Sequence, residues 1–185
     1  MQLTEKQSET LKQNNIESNH ITREAICGAL YQLMEKNAYE EITMTDIIRR
    51  SGVSRSAVYR NFKTKEEIIR EIISNLLKKL DLYQYPTLFE NWRFGFDYFL
   101  SNKKSLDLIV KAHMEHILFD KVNESLRYQK DAPDLVSAMN YGLVMNVMIY
   151  WTKCGMPGTT EEAAMRIVSS YKEISEYVIP QISNF

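Results

Sequence analysis

Apolar residues return at steps of three and four along most of this chain, and nowhere do they alternate with polar ones. Residues 21–36 set Ile26, Ala29, Leu30, Leu33 and Met34 on one helical face. Residues 64–80 do the same with Ile68, Ile69, Ile72, Ile73, Leu76, Leu77 and Leu80. Breakers are scarce: 6 Gly and 4 Pro in 185 residues. That is too few for the turns an all-β fold needs at intervals of roughly ten positions. It also excludes a glycine-rich phosphate loop. The pattern predicts an all-α chain of about nine helices.

Residues 1–19 are polar without an apolar core, so they read as a disordered tail and not as a signal peptide. Residues 20–64 then form one domain and 65–185 a second. In the first, Thr43 caps a short helix over 43–50, with Asp46 at the capping-box position and Ile47 facing inward. Gly52 in Ser51-Gly52-Val53 permits a left-handed turn. Ser54 caps a second short helix over 55–61. Thr64-Lys65-Glu66-Glu67 is another capping box and opens the long helix. Pro86 suits the first turn of an aromatic-rich helix that reaches residue 100. Further helices are expected over 106–127 and 135–151, separated by a loop at 130–134, and from Thr159 or Thr160 to about residue 178.

Residues 135–152 carry no charge, which raises a membrane span. Ser137, Asn140, Gly142 and Asn146 dilute the run and it lacks a basic flank, so a helix buried in the core or between two subunits is the reading. Cys27 and Cys154 are far apart and no CxxC occurs, so no zinc ribbon or disulfide framework is indicated and a reducing, cytoplasmic compartment fits.

Charge is segregated. Residues 20–80 hold 11 Lys+Arg against 8 Asp+Glu, and residues 81–185 hold 10 against 13. The basic part contains the informative stretch, Thr43 to Lys65: two short helices joined by a glycine turn, the form of a helix-turn-helix unit. On the second helix Ser54, Arg55, Ser56, Tyr59, Arg60 and Asn61 supply donors for phosphates or base edges. Ala57 is small enough for close approach to a groove floor, while Val58 and Phe62 anchor the opposite face.

Thr43-x-x-Asp46-Ile47, Ser51-Gly52-Val53-Ser54, Tyr59-x-x-Phe62 and Lys65-Glu66-Glu67, in that order and spacing, resemble the DNA-binding domain of the TetR (tetracycline-repressor-type) regulators over residues 20–69. The resemblance implies that Thr43 and Lys65 contact backbone phosphates, as do Tyr59 and Asn61. It implies that Arg55, Ser56, Ala57 and Arg60 face bases or phosphates, and it adds Thr45 and Ser54 to the DNA-facing set. Trp151-x-x-x-Gly155-Met156 followed by Thr160-Glu161-Glu162 resembles a subgroup common in low-GC Gram-positive bacteria.

One helix-turn-helix reads too few base pairs for specificity, so a homodimer on a near-palindromic double-stranded operator is expected. Its seam is expected from the last two helices, with Met145, Ile149, Ile167, Tyr171 and Ile174 at the interface. Trp92, Phe96, Phe99, Met114, Leu118, Met145, Met148 and Trp151 are candidates to line an apolar effector pocket, with His113 and His116 as its polar groups. The expected function is a ligand-gated transcriptional regulator, most simply a repressor, without cofactor or metal. The alternatives are a family member gated by a partner protein, and a small helical enzyme built on His113, Glu115 and His116. His113 and His116 can share a helix face, but a zinc site needs further ligands and no second cluster accompanies them.

Overall fold

The computed structural model describes residues 5–78, 80, 85–127 and 135–182. Among these, nine α-helices and a single 3-10 turn occur and no strand. The chain divides into two units, Met1–Asn75 and Leu76–Phe185.

The first unit contains α1 (Glu5–Met34), the 3-10 turn (Tyr39–Glu41), α2 (Met44–Ser51), α3 (Arg55–Asn61) and most of α4 (Lys65–Leu77). Ile26, Ala29 and Leu30 of α1, Ile47 of α2, Val58 and Phe62 at α3, and Ile68, Ile69 and Ile73 of α4 are all buried. The three- and four-residue steps of the sequence thus converge on one core, with α1 packed on α2 and α3. The tail expected to be disordered is instead helical from Glu5 onward, continuous with α1. Glu, Lys, Gln and Leu are good helix formers, and no Gly or Pro precedes Gly28, so nothing local stops the helix. Residues 12–21 are exposed on every side.

The second unit holds α5 (Leu88–Ser101), α6 (Lys103–Lys111), α7 (His116–Arg127), α8 (Leu135–Lys153) and α9 (Thr160–Ile182). α5 packs along α9 and against α6 and α8, and α8 also packs on α6 and α7. Its core is aromatic and sulfur-rich, with Trp92, Phe96, Phe99, Met145 and Met148 buried. Phe96 meets Trp151 edge-on at 4.9 Å between ring centroids, a favoured aromatic geometry.

Several boundaries differ from the sequence expectation. Pro86 does not enter α5. Thr87 caps it, accepting the Glu90 N–H while the Glu90 carboxylate accepts the Thr87 N–H at 3.2 Å. This reciprocal box outcompetes the proline's preference for the first turn. α4 ends at Leu77, short of residue 80. α9 continues past residue 178 to Ile182. The loop expected at 130–134 lies outside the described residues. Thr159 rather than Thr160 caps α9, exchanging bonds with Glu162. Among the described residues no helix is long and apolar enough to cross a membrane.

Candidate nucleic-acid interface

The two short helices are fixed from their first residues. Thr43 Oγ1 accepts the Asp46 N–H, and the Asp46 carboxylate accepts both the Thr43 N–H at 3.0 Å and its hydroxyl proton. Those bonds hold the Asp46 carboxyl below the usual carboxylate range. α2 ends at Gly52, whose φ of 68° is the left-handed region where a side chain is strained. Ser51 Oγ accepts the Val53 N–H at 3.2 Å and donates to the Ile48 carbonyl, which sets the turn. Ser54 then caps α3 through the Ala57 N–H.

α3 divides cleanly into two faces. Val58 and Phe62 are buried, whereas Ser54, Arg55, Ser56 and Arg60 are exposed, and Ala57, Tyr59 and Asn61 are half-buried. Thr45 on α2 is also exposed. From Arg49 to Lys65 the chain carries Arg49, Arg50, Arg55, Arg60, Lys63 and Lys65 and no acidic residue. Arg49 and Arg50 are engaged by Asp46 and Gln32, each at 2.7 Å. Lys63 donates to the Tyr59 carbonyl. Arg55 and Arg60 donate to no protein acceptor among the described residues; the Arg55 guanidinium lies 5.4 Å from the centroid of the Tyr59 ring.

The donors of two expected phosphate contacts are engaged within the protein. The Thr43 N–H and hydroxyl proton are both spent on Asp46, so Thr43 offers a phosphate no donor. The Lys65 ammonium donates to the carbonyls of Tyr39 at 2.6 Å, Glu40 at 3.1 Å and Ile42 at 3.0 Å. An ammonium has three protons, and all three are used. Lys65 therefore ties α4 to the 3-10 turn that leads into α2. Asn61 is partly spent as well, its amide donating back to the Ala57 carbonyl at 2.9 Å.

The expected box at Thr64 forms by halves. Thr64 Oγ1 accepts the Glu67 N–H, but the Glu67 carboxylate accepts the Lys63 N–H instead of the Thr64 N–H. Sequence reasoning missed Arg23. Its guanidinium, on α1, lies 4.3 Å from the centroid of the Phe62 ring, and it also reaches the end of α3 and Glu71. The apolar stripe carries no signal for such a polar tie across 38 positions.

The sequence model for bacterial regulatory proteins of the tetR family matches residues 26–72, which hold all of α2 and α3 and most of α4. Over these residues the chain is similar to the tetR family. One relative is the HTH-type dhaKLM operon transcriptional activator DhaS of Lactococcus lactis subsp. lactis (strain IL1403), 33% identical over 61 residues. That match covers 33% of this chain and 33% of DhaS, so it spans a third of the relative's length. In fold, the chain is similar to a TetR transcriptional regulator from Streptococcus agalactiae 2603V, with a TM-score of 0.56 at 19% identity over 88% of this chain and 98% of that one. The matched family and the relative DhaS are regulators by name, which speaks against the enzyme alternative.

The residues expected around the pocket lie in the second unit. His113 and His116 do not share a helix face. His113 stands between α6 and α7 at φ 54°, the left-handed C-terminal residue of a Schellman motif in which its N–H meets the Val110 carbonyl and the Met114 N–H the Ile109 carbonyl. Both histidines are exposed. Burial alone would raise the Glu115 carboxyl, but the hydrogen bond and charge of Lys153 hold it below the usual range. Among the described residues no three His, Cys, Asp or Glu side chains gather as metal ligands. Trp92, Phe99, Met145 and Met148 are buried, and Met114 is half-buried at the α6–α7 corner. A cavity of about 400 Å³ lies between α8 and α9, lined by Phe96, Trp151, Val147, Tyr150, Arg166 and Ile167 among others. Of the residues expected to line a pocket, Phe96 and Trp151 line this one.

The five residues expected at the seam differ in exposure. Met145 and Ile149 are buried within their own subunit and cannot form its outward surface. Ile167 and Tyr171 are half-buried, and the Ile174 side chain lies outside the described residues. Among the described residues, the exposed large apolar side chains of these helices are Leu143, Tyr150 and Met165.

Proposed function

We propose that this chain is a homodimeric, sequence-specific DNA-binding transcriptional regulator gated by an effector. The observation that carries the reading is α3. Its inner face is locked by Val58 and Phe62, while Ser54, Arg55, Ser56 and Arg60 stand exposed in a stretch without a single acid. A short capped helix with that surface suits a major groove, the guanidinium groups reading base edges and the hydroxyls and Tyr59 positioning the helix on phosphates. Thr45 joins them from α2.

Two such heads are needed for specificity, so a near-palindromic operator and a two-fold dimer follow. Leu143, Tyr150 and Met165 support α8 and α9 as the seam, because exposed apolar side chains on both helices are surface that a partner can cover. The α8–α9 cavity supports a mostly apolar effector: Phe96, Trp151 and Ile167 offer apolar surface, and Glu162 and Arg166 charges of both signs for orientation. Tyr150 belongs to both, so an effector there acts at the seam that sets the spacing of the two heads. Repression by occupancy is the simplest outcome. The relative DhaS is named an activator, and a reporter downstream of the chosen operator decides the sign for this chain.

The test is selection of duplexes from a randomised pool, followed by anisotropy across a salt series. A near-palindrome bound by two chains, with affinity falling steeply as salt rises, supports the reading. Failure to enrich any duplex overturns it. If a co-purifying protein releases the DNA while apolar compounds do not, the gate is a partner protein.

A further inference from the structure

The reading helix is only seven residues long, and helices under about twelve residues are marginal in water without tertiary support. Its C-terminal end is the weaker one, since the last carbonyls of any helix lack intrahelical partners. Local groups satisfy several of them here. Asn61 donates to the Ala57 carbonyl, the Phe62 N–H to Val58, and Lys63 to Tyr59. The Asn61 carbonyl is met from far away in sequence, by Nη1 of Arg23 on α1 at 3.4 Å. The same guanidinium lies over the ring of Phe62, with Cζ 4.3 Å from the centroid. Its Nη2 pairs with Glu71 Oε2 on α4 at 3.0 Å. Both side chains of that pair are about two-thirds or more shielded from solvent, 33% and 28% exposed.

Only a planar fork satisfies these three neighbours at once: one edge to a carbonyl, one to a carboxylate, a face to a ring. A positive charge at a helix C-terminus also complements the negative end of its dipole. Resting on the DNA-reading proposal above, we propose that Arg23 is a positioning residue for recognition. It fixes the C-terminal end of α3, and so the direction in which Arg60 projects, without touching DNA, and Glu71 holds the guanidinium in place.

The test compares Arg23→Lys, Arg23→Gln and Glu71→Gln with the wild-type chain. Affinity is measured for the duplex that the wild type selects and for an unrelated duplex, each across a salt series. Amide hydrogen exchange at Asn61 and Phe62 is measured against Ile47. The expected result for Arg23→Lys and Glu71→Gln is about tenfold weaker binding to the selected duplex, with unrelated-duplex affinity and salt slope unchanged. Exchange at Asn61 and Phe62 rises while Ile47 stays protected. If Arg23→Gln instead lowers the salt slope by about one on both duplexes, Arg23 is itself a phosphate contact and the proposal is overturned. Variants that melt earlier yet bind the selected duplex like wild type when folded make it a stability residue only, which also overturns it. A wild type that selects no duplex sinks the DNA reading. In that event the exchange data judge the clamp alone, and unchanged exchange at Asn61 and Phe62 refutes it.

Discussion

The Lys65 ammonium stands 2.6 Å from the Tyr39 carbonyl oxygen and 4.3 Å from the centroid of the Tyr39 ring. One lysine at the start of α4 thereby closes the 3-10 turn that precedes α2. Tyr39 is buried beside it, and burial, reinforced by Glu66 and Glu40, pushes its hydroxyl up to about 12.

Substituting Lys65→Met removes three charge-assisted bonds and leaves their carbonyls without this partner. Denaturant unfolding is expected to show a loss of about 1–3 kcal/mol. The salt slope of binding to non-specific DNA should not change, because those protons are already spent. A slope reduced by about one would restore the phosphate contact that the family resemblance implies.

Arg55→Ala should act on specificity. The side chain is exposed and bonded to no protein acceptor among the described residues, so its removal leaves the fold unchanged. Repeated binding-site selection should show relaxed preference at one or two base pairs, about 1–3 kcal/mol in discrimination. An unchanged motif would remove Arg55 from base reading.

Asp46 gives a pH dependence with a definite sign. The two bonds from Thr43 hold its carboxyl below the ordinary range in the folded chain. A depressed folded value stabilises above the unfolded value and is lost as pH falls through the folded one. Stability of the wild type should therefore drop on acidification in the carboxylate range. Asp46→Asn should start lower at neutral pH and show a shallower acid limb; parallel curves for the two proteins would refute the linkage.

His113→Gly should stabilise the second unit. A residue other than glycine at positive φ pays a steric cost that glycine does not. Because the side chain is exposed, little packing is lost. The gain expected in thermal unfolding is about 0.5–1 kcal/mol, reduced by the greater freedom of glycine in the unfolded chain. A lower melting temperature would mean that the imidazole holds a contact of its own.

Tyr150→Glu tests the seam without touching the core, since Tyr150 is 72% exposed in the subunit. Sedimentation should show folded monomers at micromolar concentration where the wild type is dimeric. Met145→Glu, by contrast, buries a charge within one subunit and should unfold it. A dimeric Tyr150→Glu protein would move the seam off this face.

What the sequence revealed depended on whether the deciding interaction was local. Thr43 with Asp46 and the left-handed Gly52 are decided within a few residues, and all were legible. So were the inward Val58 and Phe62, because a helix repeats its faces every three or four positions. Lys65 was legible as a residue but not in its role, since its acceptors are backbone carbonyls 23 to 26 positions away that no side-chain pattern announces. Arg23 escaped for the same reason. Pocket lining was less legible, because aromatic and methionine stripes mark burial. Whether Trp92 or Met148 packs against another core residue or lines a void depends on packing across helices, which spacing does not encode.

The division of α3 into two faces has an evolutionary consequence. Val58 and Phe62 hold the helix in place, while Arg55, Ser56 and Arg60 take no part in that packing. Stability and recognition are thus carried by different residues of the same two turns. A lineage is free to exchange the outward trio, one substitution at a time, and migrate to a new operator while the domain that presents them goes on folding unchanged.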